Sequence, residues 1–512
     1  MSKNQSQDLE AANTTNSNRV SFHGEEDEQI TSIISRIQEE RDGISDEEDA
    51  EEFIRKYGEI DFKFIKRPKE AVWFIKPQAL NYFKDGILYR TRGERTSTKT
   101  ELVLDLMYVG IIANLAGDAS ENAGGAALLK YILLFIPAWT VWADIKDATN
   151  FYYNGDLSQK LYIIWILSLL TLFANSHGEV LESREGAAYT IVPYILCRMS
   201  LAIGLLFYSF YTPEHRPQQR LYACFITFTC CLWIAVIFIS TKAKIGLSIA
   251  IMVLEHTLCI AVFHPYTKKL LKLRMSTALN IEHEVERFAT FVTIAIGEFL
   301  YKAVASSGLG AGFSDKFARG IFLIIIAYTL FWIHGNGSTC KSATHAFRRN
   351  ANIGALWVYI HLPLIASLVL AADAGGDITL SDNTRLARPT SHSENIESGG
   401  FEHARRADSD STEEEPNMYA LSFFFTGSLC VALFSLTVLG LLDKSRDPKD
   451  MFLIPRFWRV FMRLPTGIII VCLSIAELNS TVLMGIITAL LILLLVFESF
   501  TSTPKNCLNS PK

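Results

Sequence analysis

The chain lacks the short motifs of a serine hydrolase, a phosphate-loop ATPase and a zinc protease. No G-x-S-x-G elbow occurs, which excludes the exposed serine of an α/β-hydrolase, and no G-x-x-x-x-G-K-[ST] loop occurs, which excludes an ATP-driven pump. His283-Glu284-Val285-Glu286-Arg287 falls one residue short of the H-E-x-x-H zinc helix, because Arg287 stands where the second histidine is required. Nine cysteines are present without the paired spacing of a zinc site or disulfide framework. Seven of them, Cys197, Cys224, Cys230, Cys231, Cys259, Cys430 and Cys472, lie in apolar segments and read as small packing residues. No soluble stretch is long enough for a nucleotide-binding domain. The expectation is therefore no enzyme activity, no cofactor, no metal and no nucleic-acid partner. No apolar core of signal-peptide length lies near Met1, so insertion is expected to begin with the first span.

What the chain has is apolar length. Twelve segments, near 102–117, 124–145, 159–176, 188–211, 219–240, 243–263, 283–304, 318–336, 352–373, 418–442, 457–476 and 480–499, approach the roughly 20 residues that cross a hydrocarbon core. This predicts an all-α, polytopic membrane protein, with membrane lipids and a small solute or ion as its partners. Residues 1–60, with the acidic runs Glu25-Glu26-Asp27-Glu28 and Asp46-Glu47-Glu48-Asp49, read as a disordered cytoplasmic tail. Residues 61–100 form a basic juxtamembrane segment, 101–373 hold spans one to nine, and 374–417 form a flexible exoplasmic loop. Residues 418–500 hold the last three spans, and 501–512 a cytoplasmic tail.

Lys and Arg in the flanks set the orientation. Lys84, Arg90, Arg92, Arg95 and Lys99 precede span one, Lys268, Lys269, Lys272 and Arg274 lie between spans six and seven, and Lys341, Arg348 and Arg349 follow span eight. With twelve spans these fall on one side and both termini are cytoplasmic. No sorting signal selects between the plasma membrane and an endomembrane. Two gapless alignments, Tyr162 to Gly178 over Tyr359 to Gly375 and Glu101 to Ala113 over Glu286 to Glu298, are compatible with a six-plus-six duplication or with the chance similarity of apolar helices.

Ionisable side chains in a bilayer are costly, so they face the bundle interior and mark functional sites. The candidate ion or proton pathway comprises Glu101, Asp105, Arg198, Glu255, Glu286, Arg287, Glu298 and His361. On span seven, Glu282, Glu286, Thr290, Thr293 and Gly297 share one stripe at 100° per residue, suited to a polar path or to tight packing. The bland alternative is that the charges only hold helices in register, Glu286, Glu298 and Asp105 pairing with Arg287, Arg198 or Lys302, and that His361 is a hydrogen-bonded core residue. Trp139, Trp142, Asp147 and Asn150, at the end of span two, form an expected interfacial cluster with the tryptophans as membrane anchors.

Four motifs resemble the bacterial low temperature requirement A family, in that family's order. They are Glu101-Leu102-Val103-Leu104-Asp105-Leu106, the segment from Trp139 to Asn150, Glu286-Arg287-Phe288 through Gly297-Glu298, and Tyr359-Ile360-His361-Leu362-Pro363-Leu364. The resemblance implies a polytopic membrane protein named for a growth phenotype, without an established activity. The acidic tail and the 374–417 insertion depart from the bacterial pattern and suggest a eukaryotic, fungal-type member. Two functions compete: an ion- or proton-coupled transporter or channel that uses intramembrane carboxylates, and a non-transporting protein that supports membrane composition or assembly during cold growth.

Overall fold

A computed structural model describes residues 61–65, 73–91, 95–152, 155–213, 215–305, 312–337, 345–382, 417–443 and 452–503, together with residues 54, 309 and 386. The acidic tail expected at 1–60, apart from residue 54, lies outside the described residues, as do 504–512 and all but residue 386 of 383–416.

Twelve helices follow the twelve expected spans. They are α1 (Lys99–Glu121), α2 (Gly125–Tyr152), α3 (Leu157–Ser176), α4 (Arg184–Tyr211), α5 (Arg216–Val236), α6 (Thr241–Phe263), α7 (Ile281–Val304), α8 (Asp315–Gly337), α9 (Ala351–Leu380), α10 (Met418–Leu442), α11 (Arg456–Ile475, interrupted at Met462) and α12 (Ser480–Thr501). Eleven are long and apolar enough to cross a membrane. The exception, α7, has the length but carries Glu282, Glu284, Glu286, Arg287, Glu298 and Lys302. It packs against α1, α8 and α9, so protein rather than lipid covers much of its charge. Lipid-facing surfaces are apolar: Leu102, Val103 and Leu106 on α1, Leu161 and Ile164 on α3, and Leu493 and Val496 on α12 are all exposed.

Helix starts are fixed by short polar side chains that satisfy the first free N–H groups. Thr98 and Glu101 make a reciprocal capping box on α1, Asp156 caps α3, Ser183 caps α4 and Asn280 caps α7. The central helix is α9, which touches α1, α2, α7, α8, α10 and α12. The sequence reading ended this span at 373 and opened a loop at 374. The helix instead continues to Leu380, and Ala374, Gly375 and Gly376 are buried within it. Glycines that signal a loop in water serve here as packing surface: a Cβ on Gly375 would lie 2.7 Å from the Phe425 ring, and one on Gly376 2.7 Å from Lys302 Cβ.

The juxtamembrane segment is not plain coil. Strands β1 (Phe62–Ile65), β2 (Asn81–Lys84), β3 (Ile87–Thr91) and β4 (Met275–Thr277) form one sheet in the order β1-β3-β2-β4. β2 and β3 are an antiparallel hairpin turned by Asp85 and Gly86, both at positive φ, and β4 comes from the connection between α6 and α7. The sheet therefore ties the chain before α1 to the entry of α7.

Candidate functional site

Where the start of α1, the end of α2 and the start of α7 meet, a polar network is buried. Glu101 of α1 lies 3.0 Å from His283 Nε2 and 3.6 Å from the Arg95 guanidinium. Asp105, one turn on, accepts from the Trp142 indole at 2.8 Å and from Arg287 at 2.8 Å. Asn150 donates to the Asn280 carbonyl and to Glu284 and accepts from the Asn280 N–H, so the α7 cap is bonded to the end of α2. Lys146, 1% exposed, bridges Glu284 and Asp147. Below this network Trp139, Trp142, Phe288 and Phe291 pack ring on ring.

A second charged group sits in the middle of α4 and α6. Arg198 is ion-paired with Asp144 of α2 and lies 3.9 Å from Glu255. Tyr222 donates to Asp144 at 3.0 Å, while Tyr194 and Trp233 donate to Glu255 at 2.7 and 3.2 Å. Arg198 is 3% and Glu255 4% exposed, so both charges are held by protein and not by bulk water.

Between the two groups lies a cavity of about 450 Å³. Its wall starts at Phe83 of the hairpin, His264, Lys268 and Thr277, and ends at Trp139, Thr140, Arg198 and Glu255. At the mouth, burial lowers the pKa of Lys268. Among the described residues, no group of three His, Cys, Asp or Glu side chains is placed to hold a metal ion.

The residues expected from sequence are distributed as follows. Glu101, Asp105, Arg287, Trp142 and Asn150 meet in the first network, and Arg198 and Glu255 in the second. Asp147 and Trp139 line the cavity. Asp105 pairs with Arg287 as the register alternative expected, whereas Arg198 pairs with Asp144. Glu286 accepts from the Ser97 N–H at 3.1 Å. Glu298 is half-buried far along α7, on the helix where Lys302 ion-pairs Asp373 of α9. His361 is a core residue, its Nδ1 2.7 Å from the Trp357 carbonyl and its ring against Phe288.

Two expectations are corrected. Trp139 and Trp142 are not membrane anchors: they are 2% and 0% exposed, since their rings fill the interior between α2 and α7. The α7 stripe is also displaced. Glu282, Glu286 and Thr290 are only half-buried, and Thr293 and Gly297 are exposed. The enclosed face carries His283, Glu284, Arg287, Phe288, Phe291 and Phe299, because the large aromatic rings set which side of the helix is turned inward. The pathway set expected from sequence does not include Asp144, Lys146, His283 or Glu284, Lys302 pairs with Asp373 rather than with the acids expected for it, and the pair Arg463–Glu498 was missed. The available signal was that each is an ionisable residue inside or bordering an apolar span.

A bundle of long apolar helices enclosing charged pairs defines a polytopic helical membrane protein. The chain matches the family model of the bacterial low temperature requirement A protein over residues 96–497, and it belongs to that family. No curated protein matches the chain, and no solved structure does. The four motifs that resembled this family converge in space: Glu101 and Asp105 meet His283 and Arg287, Trp142 bonds Asp105, and Phe288 packs on His361.

Proposed function

We propose that this protein is a transporter or channel for a small solute or ion, coupled to cation or proton binding at intramembrane carboxylates, and that it is not an enzyme. The observation that carries the reading is the cavity that runs from the sheet end of the bundle to Arg198, Asp144 and Glu255 in its interior. A membrane protein that only held lipids or partners in place would gain nothing from lining an internal cavity with charge, which costs free energy. Of the packed rings Trp139, Trp142, Phe288 and Phe291, Trp139 forms part of the cavity wall. We assign the cavity mouth and both termini to the cytoplasm, because Lys84, Lys268, Lys269, Lys272 and Arg274 gather at that end.

The test is flux of protons, alkali cations and organic solutes in proteoliposomes, with Glu255→Gln beside the unaltered protein. Gln keeps the shape and one of the two acceptor oxygens that Tyr194 and Trp233 use, while removing the charge. Flux that is lost in this variant supports the reading. A stable protein with no flux under any gradient favours instead the role in membrane composition or assembly, which a deletion strain grown in the cold would report as altered lipid composition.

A further inference from the structure

We infer that the cavity binds a small organic cation, an aliphatic amine with one or two ammonium groups. This rests on the reading of the cavity as the solute site. The cavity wall carries four carboxylates, Asp144, Asp147, Glu255 and Glu284, against three cations, of which Lys268 stands at the mouth. In the interior the two remaining cations each serve two acids: Lys146 bridges Asp147 and Glu284, and Arg198 pairs Asp144 with Glu255 only 3.9 Å away. Each interior cation is thus shared between two carboxylates, and with Lys268 counted the wall holds one carboxylate more than it has cations. Tyr194, Trp233 and Tyr222 give hydrogen bonds to Glu255 and Asp144, but neutral donors do not cancel charge. In a low-dielectric interior that surplus attracts a cation.

Size and wall chemistry narrow the cation. About 450 Å³ equals roughly fifteen water volumes, far more than a single ion fills. Phe151, Phe263, Tyr222 and Tyr359 supply aromatic surface, which attracts an ammonium and accommodates an alkyl chain but offers a bare metal ion no oxygen cage. An anion would face carboxylates on both sides.

The experiment is a titration of the purified full-length protein in lipid nanodiscs at constant ionic strength, read as the temperature of thermal unfolding. The probes are butylammonium and putrescine, with butyrate and butanol as the anionic and neutral counterparts. A saturable rise with an amine, absent with butyrate and butanol, is expected, and Glu255→Gln should weaken it about tenfold, the loss of one charge-assisted contact. Asp147→Asn, at a half-exposed side chain, serves where Glu255→Gln does not fold, and should weaken it in the same direction. A saturable rise with butyrate, no rise with either amine, or an amine effect unchanged in every folded variant would overturn the inference. Amine binding without amine flux would overturn transport and leave the site standing, whereas proton or alkali-ion flux without amine binding would do the reverse.

Discussion

Arg287 of α7 places its guanidinium 2.8 Å from the Asp105 carboxylate of α1, and both side chains are wholly enclosed by protein. Among the described residues, Nε and Nη1 of that arginine have no hydrogen-bond partner, so Asp105 is the carboxylate that holds it by a direct bond. A buried pair of this kind is costly to break and much less costly to replace as a unit. Asp105→Asn should therefore destabilise the protein by roughly 3–5 kcal/mol, while Asp105→Leu combined with Arg287→Met should recover much of that loss. Unfolding of the single and double variants in micelles measures the coupling; additive losses would show that the two side chains act independently.

Close packing of α9 gives a second expectation. A methyl group at Gly375 meets the Phe425 ring at 2.7 Å and Leu323 at 2.8 Å, both fully buried, whereas one at Gly297 meets nothing within 4 Å. Gly375→Ala should cost about 1–3 kcal/mol by overpacking, and Gly297→Ala should be neutral or slightly stabilising. Their melting temperatures, compared side by side, separate backbone effects from steric ones.

The hairpin supplies a pH-dependent contact outside the spans. His215, 5% exposed, lies under the Tyr82 ring at 5.8 Å, and burial together with the Lys268 charge lowers its pKa from the ordinary 6.5 to about 4. The folded state therefore binds fewer protons than the unfolded state between these values. Its contribution is complete above 6.5 and is lost as pH falls towards 4, by about 3 kcal/mol at most. His215→Gln should flatten the stability profile between pH 6.5 and 4; an unchanged acid limb would assign the loss to other groups.

Orientation can be read with a membrane-impermeant maleimide. Lys84, exposed at the hairpin turn, and Phe313, 99% exposed between α7 and α8, lie at opposite ends of α7. In a cysteine-free background, in sealed vesicles of the membrane that holds the protein with their cytoplasmic face outward, Lys84→Cys should react directly and Phe313→Cys only after permeabilisation. The opposite pattern would invert the assigned topology.

Much of the fold was legible because the bilayer imposes a length rule on apolar runs, and each of the twelve segments overlaps one of the helices seen. The hairpin was legible too, in Asp85-Gly86 between Asn81-Tyr82-Phe83-Lys84 and Ile87-Leu88-Tyr89-Arg90, although only the basic charge of this segment enters the reading from sequence. Gly375 and Gly376 after Asp373 misled, since glycine ends helices in water and packs them closely in a membrane.

The sequence by itself determined that the chain crosses a membrane many times, that charges lie within or beside those crossings, and to which family its motifs point, all consequences of local composition and spacing. Partners of those charges were a matter of tertiary structure. Arg198 lies 54 residues from Asp144 and Arg287 182 from Asp105, separations over which helical periodicity carries no information. Which face of α7 turned inward was decided by the fit of Phe288, Phe291 and Phe299 against the neighbouring helices, because large rings gain more from enclosure than the polar stripe beside them. The cavity exists only because α2, α4, α6 and α9 bring their polar residues to one space while their apolar faces meet lipid and each other.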